Sequence, residues 1–295
     1  RTRPSVAREV LLASLIKARG RFDWHNSWHE SRELDLDGGR RWHPPLYIHG
    51  PFLGFLKADF AEGLEAIARL IDFASERWRH YAGLEAREYL AEVAAGREDP
   101  NPLGRRISEW RRPPGTVILP SESGDRDLIG DARVFGWSAG LGNPPSAIEA
   151  ALMALEQYFY LELGEDRPVA DKAQAVLERA RSAAFLKPLC DLGKREPDLF
   201  KGSLRVLLAM PEVYEWDIQA VVQGRQHLMI GTFMQGRWFV KLAKEFHDLK
   251  HRSIDLRHLG VRLFLSDEGT RAYLSAVRER WEQRLADTPE GPFRE

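Results

Sequence analysis

The residues with the clearest potential for chemistry are Gly136-Trp137-Ser138-Ala139-Gly140, which fit the pattern G-x-S-x-G. In many hydrolases this pattern presents a nucleophilic serine on a sharp turn between a buried strand and a helix. Residues 132–137 are compatible with a short strand, but a Gly/Pro loop delays the next helix. The chain also lacks the alternating strands and helices of a parallel sheet. We therefore expect a structural loop, and Ser138 is the catalytic candidate of an alternative in which the protein is a hydrolase.

This loop leads into a helix predicted over 146–163. Two prolines directly before it suit the residues that lead into a helix, and Ser146 with Glu149 forms an S-x-x-E capping box. Trp137 is expected to pack the loop against the core. The helix is expected to bury Leu152, Met153 and Leu155.

Two histidine pairs have the i, i+4 spacing that places both imidazoles on one face of a helix. Neither pair has the Glu after its first His that an H-E-x-x-H zinc site requires. One pair has further Asp and His residues nearby, which would suit a divalent metal. Because Lys, Arg, Asp and His alternate throughout 244–258, a solvated helix face is the favoured interpretation and no metal is expected. The candidate ligands of the alternative, a metal-dependent enzyme, are His247, His251, Asp255 and His258, and the other pair is His25 and His29.

A cluster of arginines around Trp110 is the candidate interaction surface: Arg105, Arg106, Arg111 and Arg112. Such a cluster can contact phosphates or a protein partner. A net charge of −1 gives no general attraction to nucleic acid, so nucleic-acid binding is not favoured.

The composition limits the class of protein. With 43% hydrophobic and 29% charged residues, the chain should fold in water, and no apolar run reaches the length of a bilayer span. No signal-peptide pattern opens the sequence. The single Cys190 excludes an intramolecular disulfide and a Cys-based zinc cluster, so a reducing, cytoplasmic location and no membrane association are expected.

Nucleotide-binding patterns are missing from the sequence. It has no G-x-x-x-x-G-K-[ST], and the glycines at 140 and 142 lack the third glycine of a dinucleotide site. No cofactor is therefore expected in this chain. Since it begins with Arg1 inside an apparent helix, we expect it to be part of a longer protein.

Helical periodicity dominates the chain and predicts an all-α fold. Helices of about 10–20 residues joined by short turns favour an irregular α-solenoid of HEAT-like stacked hairpins with one or two long loops. Three segments are expected: an N-terminal helical segment with a Trp/His/Pro-rich loop (1–96), a loop or insertion (97–130) and a C-terminal helical array (131–295). The predicted helices are 5–20, 52–58, 60–79, 84–96, 146–163, 168–186, 188–196, 199–209, 213–223, 238–250, 254–265 and 268–286.

Two runs carry a resemblance to a known group of proteins: VFGWSAGLGNPPSAIEAALMALEQYFYLEL, and SAAFLKPLCDLGKREPDLFKGSLRVLLAMPEVYEWD. With the later run of 252–285, which ends in W-x-x-R-L, they resemble the helical region of large bacterial STAND-like or NACHT-like P-loop NTPases, several of which act in antiphage defence. The resemblance covers most of 130–286. It implies a sensor or scaffold array whose ATP is bound by a P-loop domain outside this chain, and it transfers no catalytic residue.

These observations predict a non-catalytic helical scaffold or sensor module of a larger, ATP-binding bacterial protein. Its expected partners are other domains of the same polypeptide or other proteins. The alternative is an enzyme that uses Ser138 as a hydrolase nucleophile, or a metal held by the His247/His251/Asp255 group.

Overall fold

The computed structural model describes residues 3–16, 34–36, 46–96, 112–121, 124–141, 144–224 and 236–287. Over these residues it contains eleven α-helices and one two-stranded sheet, so the all-α prediction is confirmed. The solenoid arrangement stays a prediction. None of the helices in the described part of the chain combines the length and hydropathy that a bilayer span requires. The helices are α1 (Pro4–Leu15), α2 (Phe52–Ala58), α3 (Phe60–Ala94), α4 (Ala132–Phe135), α5 (Ser146–Gly164), α6 (Ala170–Arg179), α7 (Leu186–Arg195), α8 (Pro211–Gly224), α9 (Arg237–His247), α10 (Leu256–Ser266) and α11 (Glu268–Asp287).

Helix α3 is one continuous helix of 35 residues, where the periodicity predicted separate helices over 60–79 and 84–96. Asp59 begins it as an N-cap, since its side chain accepts a hydrogen bond from the backbone N–H of Glu62. Tyr81, Ala82 and Ala86 continue the buried face across the expected break. The apolar stripe therefore extends the helix beyond the predicted end.

Helix α5 is the most deeply buried long helix. It packs against α2, α3 and α7, and Leu152, Met153 and Leu155 are inaccessible to solvent, as predicted. A helix that is apolar around most of its circumference belongs in a core. Pro145 occupies its N-cap position, so the predicted capping box with Ser146 as N-cap is out of register.

The predicted loop or insertion over 97–130 ends in a β-hairpin. Strand β1 (Thr116–Leu119) pairs antiparallel with β2 (Arg126–Ile129), with Val117 opposite Leu128. Both of these side chains join the main apolar cluster, which also takes in Leu12 and Leu155. One core therefore draws on described residues of all three predicted segments, whose boundaries stay a prediction.

The predicted helix over 199–209 is instead two short 3₁₀ turns, Pro197–Lys201 and Arg205–Ala209. Gly202 separates them with a backbone conformation far from helical (φ −133°, ψ −111°). Glycine tolerates such angles because it has no Cβ. The break leaves Ser203 in a turn rather than on a helix face.

Candidate functional site

Ser138 lies in a 3₁₀ turn, Gly136–Ala139, that directly follows helix α4. Residues 132–137, whose composition is compatible with a short strand, are helical instead, because Asp131 caps a helical turn there through the backbone N–H of Arg133. Trp137 is buried, as predicted. The Ser138 side chain is fully buried, and its Oγ has no hydrogen-bond partner among the described residues. A nucleophile needs a base and a path for substrate, so this geometry does not favour the hydrolase interpretation.

The four histidine and aspartate candidates for a metal site are divided between two places. Asp255 is the N-cap of α10 and holds His258, whose Nδ1 is 3.0 Å from Oδ2. His251 contacts Tyr160 on α5, and His247 packs its ring edge against Phe246. Within the described residues, no group of three or more His, Cys, Asp or Glu side chains is placed to hold a metal ion.

Of the arginine cluster, Arg105, Arg106 and Arg111 lie outside the described residues, as do His25 and His29. Arg112 is exposed, and its carbonyl accepts a hydrogen bond from Nη1 of Arg133 at 3.0 Å. This part of the prediction stays untested.

The most distinctive feature of the interior is a buried network of three acidic and three basic side chains, none more than 9% exposed. It joins helices α5, α7 and α8 to the 3₁₀ turn Lys250–Ser253. We call it the buried ion network. Its members are Glu156 on α5, Lys187, Asp191 and Lys194 on α7, Asp217 on α8 and Arg252 in the turn.

One half of the buried ion network centres on two aspartates. Asp191 accepts from Lys187 Nζ, which lies 2.5 Å from each carboxylate oxygen, and pairs with Lys194 at 2.6 Å. Lys194 also donates to Oδ1 of Asp217 at 2.9 Å. Oδ2 of Asp217 accepts from the backbone N–H of Leu256 at 2.8 Å, at the first residue of α10. Asp217 on α8 therefore connects to both α7 and α10, whereas the two lysines that pair with Asp191 lie on its own helix.

The charges in this half favour the ionised forms. Burial alone would raise the pKa of Asp191, but Lys187, Lys194 and Arg252 outweigh it and hold that pKa well below its ordinary value. Burial would lower the pKa of Lys194, yet Asp191 and Asp217 raise it above its ordinary value. The ion pairs consequently persist across neutral pH.

The other half centres on Glu156, which lies in the middle of an apolar helix. Its Oε1 accepts hydrogen bonds from Arg252 and from the hydroxyl of Tyr160, while its Oε2 is buried without a partner among the described residues. Nε2 of His251 is 2.6 Å from the same hydroxyl. Because Tyr160 donates its only proton to Glu156, His251 donates to Tyr160. A hydrogen-bonded chain thus runs from half-buried His251 to Glu156.

In this half of the network, burial opposes the ionisation of Glu156, Tyr160 and His251. Burial raises the pKa of Glu156, with Arg252 acting against it, and burial also raises the pKa of Tyr160 well above its ordinary range. Burial, together with Arg252 and Arg195, lowers the pKa of His251 to about 4. His251 is therefore neutral at pH 7, in the form that donates to Tyr160.

The sequence-based reasoning missed this network. One signal was present: Glu156 is the one charged residue in the largely apolar run A-L-M-A-L-E-Q-Y-F-Y, and a charge buried at such a position has to be paired. Its partner Arg252 lies 96 residues further along the chain, so no local pattern identifies it.

Comparison of the whole sequence with protein-family models and with curated proteins found no match.

Proposed function

We propose that this chain is a non-catalytic helical scaffold or sensor module within a larger, ATP-binding bacterial polypeptide that acts in the cytoplasm in antiphage defence. Its partners are other domains of that polypeptide or separate proteins. The observation that carries the proposal is the buried ion network, because its ionisable side chains pair with one another inside the fold. Those groups hold helices in place rather than facing a substrate cleft.

A buried ion network favours a fixed arrangement of helices. Replacing such a network with apolar side chains is often neutral or stabilising, whereas removing one partner is strongly destabilising. The network therefore adds little net stability but penalises any other arrangement of α5, α7, α8 and α10. A defined rigid surface is what a scaffold needs to present to a partner.

Helix α10 offers one such surface. Leu259 and Leu263 face the core, while Val261 and Leu265, one turn apart, are 60% and 68% exposed. Arg262 between them is also exposed. An exposed apolar pair beside a cation suits contact with another protein surface.

Hydrogen exchange tests this proposal. We expect the amides of α10 to exchange more slowly in the full-length polypeptide than in the isolated chain, because a partner domain covers Val261 and Leu265. The double variant Val261→Asp/Leu265→Asp should abolish that difference. Leu90→Asp, at an exposed leucine of α3, is the matched control and should preserve it.

Two results would overturn the proposal. The first is identical exchange of α10 in both contexts. The second is ester hydrolysis by the isolated chain that Ser138→Ala abolishes, which would establish the hydrolase alternative.

A further inference from the structure

A cleft of about 610 Å³ opens between the end of β1, helix α6, the Gly202 break and helix α11. Leu119, Leu177 and Val206 form its apolar wall, and Arg126, Ser203 and Arg205 supply polar groups. We propose that this cleft binds a small molecule that carries one oxyanion group, a phosphate or a carboxylate, on an apolar body. The proposal does not depend on the scaffold function.

Arg205 is the first reason for an anionic ligand. Its guanidinium lies 4.4 Å from the ring centroid of Tyr273, and the side chain is half-buried. No carboxylate of the described residues pairs with it, unlike Arg179, which pairs with Glu65 and Asp72. Stacking on Tyr273 fixes the plane of the guanidinium and leaves its N–H donors for a ligand.

Ser203 is the second reason. Its Oγ is buried without a hydrogen-bond partner among the described residues, although it borders the cleft. A buried hydroxyl without a partner is costly, so a bound oxygen atom next to it would be stabilised. The break at Gly202 places Ser203 two residues before Arg205, and both residues line the cleft.

Arg126 adds a second fixed positive charge. Its Nη1 donates to the carbonyl of Glu178 and its Nη2 to that of Leu177, both at 2.7 Å. Glu178 contributes a carboxylate, which accepts from Gln174 at 3.0 Å. Over the described lining residues the two arginines outnumber this one acid, so the cleft carries net positive charge.

The shape and chemistry together define the ligand class. The volume is in the range that holds a small organic molecule, and such sites usually combine an apolar wall with a few polar groups. A guanidinium and a hydroxyl match the oxygens of either a phosphate or a carboxylate. The apolar wall then selects for an organic body over a free inorganic anion.

Calorimetric titration of the intact chain with phenyl phosphate, benzoate and inorganic phosphate tests the proposal. We expect saturable binding of at least one organic anion, with inorganic phosphate about tenfold weaker because it leaves the apolar wall unfilled. The stronger of phenyl phosphate and benzoate identifies the oxyanion. No saturable binding of either organic anion would overturn the proposal.

Variants locate the site. Arg205→Gln should weaken binding of the preferred anion by about tenfold or more, since it removes charge-assisted hydrogen bonds. Ser203→Ala should weaken it several-fold, and this variant is expected to keep its fold because the hydroxyl has no hydrogen-bond partner among the described residues. Arg278→Gln, at an exposed arginine of α11 outside the cleft, is the matched control and should bind normally. Equal affinity for the wild type and Ser203→Ala, or equal loss in Arg278→Gln, would contradict this location.

Discussion

Lys194 and Asp217 form a fully buried ion pair, with Nζ 2.9 Å from Oδ1, that joins α7 to α8. The same Asp217 receives the first backbone N–H of α10 through its other oxygen. A single carboxylate therefore fixes the relative positions of three helices. Lys194 also pairs with Asp191, so one ammonium group contacts two carboxylates at once.

Lys194→Met should destabilise the protein by about 3–5 kcal/mol, because it removes one of three buried cations and takes from Asp217 its nearest one. Lys201→Met is the matched control. Lys201 pairs with Asp198 at the surface, where loss of an ion pair costs less than about 1 kcal/mol. Urea unfolding of both variants measures the difference, and equal losses would show that burial of the network contributes nothing.

Gly193→Ala should destabilise helix α7 despite the better helix propensity of alanine. A methyl group there would lie 2.5 Å from Cε2 of the buried Phe200 ring, and such overpacking typically costs about 1–3 kcal/mol. At Gly164, the last residue of α5, no atom lies within 4 Å of an added methyl group. Gly164→Ala should therefore be neutral or stabilising by up to about 1 kcal/mol. Thermal unfolding distinguishes them, and a stabilised Gly193→Ala would contradict the packing of Phe200.

Ser138→Ala should leave stability unchanged or raise it by up to about 1 kcal/mol, because the buried hydroxyl forms no hydrogen bond in the described structure. Leu152→Ala in the core of α5 should instead cost about 2–5 kcal/mol. Ser138→Ala should also leave the hydrogen-exchange protection of α10 unaffected. A large loss of stability in Ser138→Ala would indicate an unseen partner of this hydroxyl.

The sequence predicted those helices that are determined by the spacing of nearby apolar residues. Apolar residues at three- and four-residue steps predicted α5 and the last three helices to within a few residues, and the apolar run predicted the burial of Leu152. It failed over 132–137, where a β-leaning composition was compatible with a short strand. There Asp131 caps a helical turn, and the capping bond outweighs the weak strand preference of so short a segment.

The buried ion network could not be predicted because it depends on contacts between residues that are far apart in the sequence. On α7 the charges at positions 187, 191 and 194 have the spacing of a solvated helix face, and nothing local separates that from a buried face. Only the packing of α8 and the turn at Arg252 against α7 brings in the opposite charges. The same holds for the cleft, whose Arg205 and Tyr273 meet across 68 positions of the chain.

His251 should make the protein less stable as the pH falls from about 6.5 to about 4. The unfolded chain binds a proton on this imidazole near its ordinary pKa, whereas burial delays protonation of the folded form to a pKa of about 4. The unfolded state thus holds more protons in that window, and stability rises with pH across it. Protonation would also place a cation near Arg252 and Arg195, and the repulsion from these arginines and the burial of the ring outweigh the attraction of Asp191.

His251→Gln should flatten this part of the pH dependence, because an amide can still donate to Tyr160 but does not titrate. His80→Gln, at an exposed histidine of α3, is the matched control and should follow the wild type. Urea unfolding across the window measures the free energy of each protein. Parallel curves for the wild type and His251→Gln would show that protonation of His251 is not what weakens the fold in acid. A slope lost only in His251→Gln would assign the acid sensitivity to the hydrogen-bonded chain from His251 through Tyr160 to Glu156.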